Sequence, residues 1–366
     1  MFRRQSFFVT RVHRKRSITK KIAAGILSPP ISLTFFMINE EAQLSDSLFE
    51  PVISQRPTRD GFGEGIVLLG HANPNVVALS ADLTESTRCQ KFAEEFPERF
   101  IELGVAEQNM ATIAAGLAIS GKIPFIASYA TFSPGRNWEQ IRTTISYNNA
   151  NVKIAGHHAG ISVGPDGATH QAIEDIATMR VMANMRVIVP CDAIEARKAT
   201  VAAGNIMGPI YLRFGREKTP VFTTDKTPFL PGRAETLWQG KKPQVAIIGC
   251  GPLLYNALLA ARELKKEKIE VVVLNMHTIK PIDEKAIVAV AKKCGAIVTV
   301  EEHQVLGGLG GAVAEVLARK IPTPVEFIGM QDTFGESGKP SELIEKYGMD
   351  APAIIAAVKK VLIRKA

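Results

Sequence analysis

At 366 residues, 46% hydrophobic and 22% charged, the chain is long enough for two domains and too apolar for an intrinsically disordered polypeptide. Its four cysteines, Cys89, Cys191, Cys250 and Cys294, show no CxxC spacing, which excludes a disulfide framework, gives no zinc signature and predicts reduced thiols in a cytoplasm. The formal charge of +8 comes from the N-terminus: residues 1–36 hold eight Lys and Arg and no acid, and the other 36 basic residues equal the 36 acidic ones, so the body offers no general case for nucleic-acid binding.

Residues 1–44 are expected to be a basic tail, disordered or not native. Arg-rich and acid-free over 1–36, the segment also fits a transit-like leader, or an upstream start before Met37. Its apolar stretch, Ala23 to Phe36, is broken by Pro29 and Pro30 and is too short to span a bilayer, so no membrane association is expected. From about Arg59, short apolar runs alternate with helix-like stretches. Val76–Ser80, Pro124–Ser128, Val152–Ala155 and Val187–Val189 read as strands, and Val105–Ile119 as an Ala-rich helix. The alternation lapses over 218–242 into Lys, Thr, Pro and Gly, which predicts a linker at 226–242. It resumes with strands at Val245–Ile248, Val271–Leu274 and Ala296–Val300, and helices after Leu253 and after the Gly307–Gly311 run. Short buried strands separated by helices predict two three-layer α/β domains with mainly parallel sheets, at 45–225 and 243–366. Gly249-Cys250-Gly251 lacks the third glycine of a dinucleotide fingerprint and reads as a tight strand-to-helix turn.

Four segments carry candidate chemistry. Glu107, in Gly104-Val-Ala-Glu107-Gln-Asn-Met110, stands in the first turn of the Ala-rich helix. It either complements the helix N-terminus, worth up to ~1 kcal/mol, or exchanges a proton with a cofactor nitrogen from a partly desolvated position. The Gly-rich connection from His157 to Gln171 carries His157, His158, Asp166 and His170. A separation of twelve positions from His158 to His170, with no cysteine or carboxylate cluster, suits a polyhydroxylated substrate better than a metal. Arg59, Arg213 and Arg216 are candidate phosphate forks. Tyr129 and Phe132 follow a strand, where aromatics either fill core or stack on a flat ring.

Taken together, Leu79-Ser-Ala-Asp82, the Glu107 motif, Tyr129-Ala-Thr-Phe132, Asp166-Gly-Ala-Thr-His170-Gln, Pro190-Cys-Asp192, Arg213-Phe-Gly-Arg216, Val300-Glu-Glu-His303 and Gly307-Gly-Leu-Gly310 resemble, in order, the C-terminal half of transketolase. The resemblance implies that 45–225 is a pyrimidine-binding domain of a thiamine-diphosphate enzyme and 243–366 the family's C-terminal domain. No GDG followed by a downstream Asn occurs in the chain. The resemblance therefore implies one subunit of a split, heteromeric transketolase, whose N-terminal, diphosphate-binding subunit holds Mg²⁺ and the diphosphate, assembled as a heterotetramer. It further implies a cytoplasmic transferase of the pentose phosphate pathway, which moves a two-carbon ketol unit between sugar phosphates.

Residue by residue, the resemblance makes Glu107 the carboxylate facing the aminopyrimidine and Tyr129 and Phe132 the aromatics against it, with Asp82 near the cofactor. Asp166 and His170 would bind substrate hydroxyls, His170 also moving protons. Arg59, Ser86, His158 and Arg216 would grip the sugar phosphate, with Arg213 the alternative to Arg216. The competing readings are a 1-deoxyxylulose-phosphate-synthase-like protein, a 2-oxoacid dehydrogenase beta-type subunit, and a non-catalytic homologue that only binds a partner.

Overall fold

The computed structural model describes residues 37–365; the basic segment 1–36 lies outside them. The apolar runs become strands because both faces of each are covered. In chain order, the first sheet takes β1 (Val76–Ser80), β2 (Phe100–Glu102), β3 (Ile123–Tyr129), β4 (Lys153–His157), β5 (Arg186–Ile188) and β6 (Ile210–Arg213). The second takes β7 (Glu235–Gln239), β8 (Val245–Gly249), β9 (Val271–Asn275), β11 (Ile297–Gln304) and β12 (Val325–Met330). Between β9 and β11, the short strand β10 (Thr278–Lys280) crosses back and pairs antiparallel with β5. The first sheet thus runs β10-β5-β6-β4-β3-β1-β2, parallel apart from β10, and the second runs β12-β11-β8-β9-β7, parallel apart from β7.

Helices cover both sheets. Against the first lie α1 (Thr58–Ala72), α2 (Glu107–Ile119) and α3 (Ala193–Gly204); against the second lie α4 (Leu254–Lys266), α5 (Glu284–Cys294), α6 (Leu309–Lys320) and α7 (Ala351–Lys365). Helix α3 opens on Asp192, whose carboxylate accepts the Glu195 N–H at 2.9 Å, and α5 on Asp283, which accepts the Ala286 N–H at 3.0 Å. Helices α1 and α3 touch through glycine: a Cβ at Gly61 would lie 2.0 Å from the Ala193 carbonyl oxygen. One apolar core joins the domains, running from Met110 and Ala114 of α2 through Ile154 and Val187 to Ile248, Leu274 and Val313. The architecture is therefore a pair of three-layer α/β units.

Two expected boundaries move. Glu235–Gln239, placed in the linker, is an edge strand of the second sheet, with Leu237 and Trp238 buried. The expected tail also ends earlier than 44. Met37 and Ala42 are buried, Ile38 bridges to Trp238, and Asn39 donates to the Thr236 carbonyl at 2.7 Å. With Leu48, these residues complete the apolar layer beneath α4 and α7.

Candidate active site

A parallel sheet places the ends of its strands, and the loops that follow them, along one edge. In the sheet order β6-β4-β3-β1-β2, that edge presents Arg213–Arg216, His157–His158, Tyr129–Phe132, Asp82 and the turn into Glu107. The candidate residues, scattered over more than a hundred positions, meet there because each follows a strand.

At one end, Glu107 is the first residue of α2 and only 2% exposed. Its carboxylate accepts from Arg136 Nη1 at 2.7 Å, and its carbonyl accepts from the Asn137 side chain at 3.0 Å. Arg136 reaches across to Phe132, its guanidinium 4.9 Å from the ring centroid. Phe132 and Tyr129 lie nearly parallel, 5.9 Å apart at 15°, both half-buried. A buried acceptor thus stands beside a flat apolar wall, joined to it by one arginine. A flat ring with a protonated ring nitrogen suits a buried acceptor beside an apolar wall, so the residues present fit a thiamine pyrimidine.

Toward the other end, Tyr129 stacks on His158 at 3.9 Å and 21°. His158 sits in the left-handed region at φ 52°. Its Nε2 accepts from Arg59 Nη1 at 2.8 Å, and the same Nη1 donates to the Ser86 carbonyl at 2.9 Å. Burial, with the charges of Arg59 and Arg216, pushes the His158 imidazole down to about 3. It is therefore neutral, and with Nε2 accepting, its proton sits on Nδ1, which is buried without a partner. Arg216 Nη1 donates to the Val163 carbonyl at 2.8 Å and lies 3.7 Å from Asp166 Oδ1. His170 shares a hydrogen bond between Nδ1 and the Thr169 hydroxyl at 2.9 Å and meets Phe132 edge-on at 5.6 Å. Asp82 is exposed at φ 59°, its N–H bonded to Glu102 Oε1 at 2.7 Å.

Comparison with known proteins identifies the family of both domains. Residues 54–221 match the model of the transketolase pyrimidine-binding domain and 232–354 that of the transketolase C-terminal domain. A Methanocaldococcus jannaschii protein named as a transketolase C-terminal section is 44% identical over 299 residues, covering 81% of this chain and 93% of that one. The chain belongs to the transketolase family. Human transketolase is 37% identical over 307 residues, 83% of this chain but 49% of the human protein; the chain spans about half the length of that relative. A solved structure titled as a split-gene transketolase, an inactive β4 tetramer, is 47% identical and superposes with a TM-score of 0.79, covering 85% of this chain and 99% of that one.

Within this family framework, the structure brings Arg59, Ser86, Tyr129, Phe132, His158 and His170 into one connected set of contacts, links Glu107 to them through Arg136, and sets the Arg216–Asp166 pair near enough for the Arg216 charge to act on His158 and Arg59. Asp82 touches none of these groups: among its contacts is the Glu102 carboxylate at the neighbouring strand end. Arg213 is spent elsewhere, paired in the interior with Asp175 at 2.8 Å. Sequence reasoning missed Arg136. Its only signal is a place four residues after Phe132, and its contact with Glu107 spans 29 residues. It also missed the interior group around Asp175, where Arg213 and Tyr211 converge, the Tyr211 hydroxyl donating at 2.6 Å.

Proposed function

We propose that this chain is the pyrimidine-binding and C-terminal subunit of a two-polypeptide transketolase, active with a separate diphosphate-binding subunit, and that the pair moves a two-carbon ketol unit from a ketose phosphate to an aldose phosphate. The observation that carries the reading is Glu107, buried at the head of α2 and tied by Arg136 to the Tyr129–Phe132 wall. When bound, thiamine diphosphate supplies an acidic C–H and an electron sink for cleaving a carbon–carbon bond beside a carbonyl. Glu107 would hold a proton at the pyrimidine's ring nitrogen, Tyr129 and Phe132 would pack on its face, and Asp82 would lie near the cofactor. Asp166 and His170 would bind sugar hydroxyls, His170 also shuttling a proton. Arg59, Ser86, neutral His158 and Arg216 would hold the distal phosphate by charge-assisted bonds of roughly 1.5–3 kcal/mol each.

The partner reading is supported by the match to half of the human enzyme and by the similar split-gene tetramer, which is inactive as β4. Among the described residues no three His, Cys, Asp or Glu side chains gather as a metal site, so we assign the proposed Mg²⁺ to oxygen ligands of the partner. Among those residues no helix is long and apolar enough to cross a membrane. A cytoplasmic setting, where thiols stay reduced, suits four buried free cysteines. The test is reconstitution. The purified chain, incubated with thiamine diphosphate, Mg²⁺ and a ketose phosphate, is expected to transfer nothing until the diphosphate-binding subunit is added. Turnover by the chain alone overturns the two-polypeptide reading. Transfer from pyruvate, but not from a ketose phosphate, overturns the ketol reading in favour of its rivals.

A further inference from the structure

The C-terminal domain supplies none of the site residues above, yet it grips the loop that carries two of them. Glu302, on β11, is 5% exposed. Its Oε1 accepts the Ser162 N–H at 2.7 Å across 140 residues of chain. The carboxylate lies against the Gly160 backbone, where a Cβ would come within 2.2 Å of Oε1; Gly160, at φ 87°, is the residue that both the turn and the contact admit. The Glu302 carbonyl accepts from Arg213 Nη2 at 2.9 Å, and Arg213 holds Asp175 through Nε at 2.8 Å and Nη2 at 3.2 Å. A second grip comes from further along the same domain. Gln171 Nε2 donates to the Glu336 carbonyl at 2.9 Å and to the Ile161 carbonyl at 3.2 Å, and Pro340 lies close to Gly164.

The gripped turn, Ile161–Asp166, is where Arg216 is fixed: its guanidinium donates to the Val163 carbonyl and faces Asp166. The Ser162 N–H, one residue before Val163, is therefore the point at which the second domain sets the position of the arginine. We infer that Glu302 is a positioning residue for the sugar-phosphate end of the site, holding the Ile161–Asp166 turn so that Val163 and Asp166 aim the Arg216 guanidinium. The role follows from geometry. Removing Oε1 leaves the part-buried Ser162 N–H without its acceptor, and the turn then has reason to move toward water, carrying two contacts of Arg216 with it. The inference rests on the proposed phosphate site and goes beyond it, since Glu302 itself touches no substrate.

The experiment compares wild type with Glu302→Ala and Glu302→Gln, first in the chain alone and then in the reconstituted complex. Hydrogen exchange over 161–166 is expected to speed at least about tenfold in Glu302→Ala and to stay near wild type in Glu302→Gln, which keeps an acceptor oxygen for Ser162. In the complex, KM for a phosphorylated ketose is expected to rise about tenfold or more in Glu302→Ala, with kcat and the KM of an unphosphorylated ketose changed less than about twofold, and Glu302→Gln is expected to restore it. If Glu302→Ala does not fold, Glu302→Asp, one methylene shorter, is read the same way. Unchanged exchange overturns the inference, and so do equal KM losses for both ketoses or equal losses in both variants. A wild-type complex that transfers no ketol unit counts against the proposed function instead. The positioning role is then decided by exchange together with inorganic phosphate binding to the chain, which Glu302→Ala should weaken and Glu302→Gln should not.

Discussion

Arg213 and Arg216 stand three positions apart, yet they belong to two different kinds of environment. Arg213 ends β6 inside the molecule, 5% exposed, with both faces of its fork committed to Asp175 and to main-chain carbonyls. Arg216 lies past the strand end, its side chain 37% exposed and 3.7 Å from Asp166, too far for a direct bond. The interior group is complete. Burial acts to raise the Asp175 carboxyl, but Arg213, His303 and the Tyr211 hydroxyl together hold it below its ordinary value. The edge group is incomplete. His158 is neutral with an unpartnered Nδ1, Arg59 Nε has no partner, and Arg216 keeps donors for a ligand. A satisfied ion pair belongs to the interior; an edge set with spare donors has groups left that an anion could take. The residue types are the same, and strand position decides which they become.

The largest effect should separate the edge from any structural role. If Glu107 only complements the helix, Glu107→Gln costs at most about 1 kcal/mol of stability and nothing else. If it holds a proton at the pyrimidine, C2–H/D exchange of thiamine diphosphate in the reconstituted complex should slow by ~10²–10⁴-fold, with assembly intact. Unchanged exchange would remove Glu107 from the chemistry.

Arg213 sharpens the contrast from the other side. Truncating one member of a buried ion pair leaves the other charge stranded, and Arg213→Ala should destabilise the chain by roughly 3–5 kcal/mol, read by denaturant unfolding. Loss of phosphate recognition at full stability would mean the two arginines have been assigned the wrong way round. Arg216→Ala should do the reverse. It should leave unfolding within about 0.5 kcal/mol of wild type while raising KM for phosphorylated sugars by the equivalent of about 1.5–3 kcal/mol. Arg59→Ala should act in the same direction. Equal losses on unphosphorylated ketoses would place both arginines outside the phosphate site.

The sequence makes some of this contrast legible and hides the rest. Strands buried on both faces read as unbroken apolar runs, so Val76–Ser80, Val245–Gly249 and Val271–Asn275 could be found directly. Glu235–Gln239 could not, because an edge strand buries only part of its length and its neighbours are Lys, Pro and Gly. Thr278–Lys280 is three residues long and pairs with a strand some ninety positions away, which no local period encodes. Met37 sits in a short apolar run with no strand period and Ala42 stands alone among polar residues, and the backbone bridge of Ile38 is to the distant Trp238. At the site, motif order picks out Glu107, Tyr129, Phe132, His158, Asp166, His170 and Arg216. Arg136 and Glu302 act through contacts that only the folded chain creates.

The smallest effect tests the interior by pH. Two buried groups away from the site should impose opposite slopes on stability. Burial raises the Glu195 carboxyl from its ordinary 4.5 to about 7, although the Cys191 N–H and the Asn275 side chain bond it. Burial lowers the Lys153 ammonium from 10.5 to about 7; its three acceptors, the Asn151 side chain and the carbonyls of Ile206 and Gly208, carry no charge. A raised carboxyl contributes stability that is full below 4.5 and is lost as pH rises through about 7. A lowered ammonium contributes stability that is full above 10.5 and is lost as pH falls through about 7. Between pH 6 and pH 8 each is worth about 1.4 kcal/mol, with opposite signs. Their sum is close to zero, with a shallow minimum near neutrality. Lys153→Met should therefore unmask a stability that falls by about 1.4 kcal/mol, relative to wild type, from pH 6 to pH 8, and Glu195→Gln one that rises by a similar amount. The check is denaturant unfolding of the three proteins at both pH values. If both variants kept the wild-type slope, each group would carry in the folded chain the charge it carries unfolded, Glu195 as carboxylate and Lys153 as ammonium, and burial would not have moved either into this window.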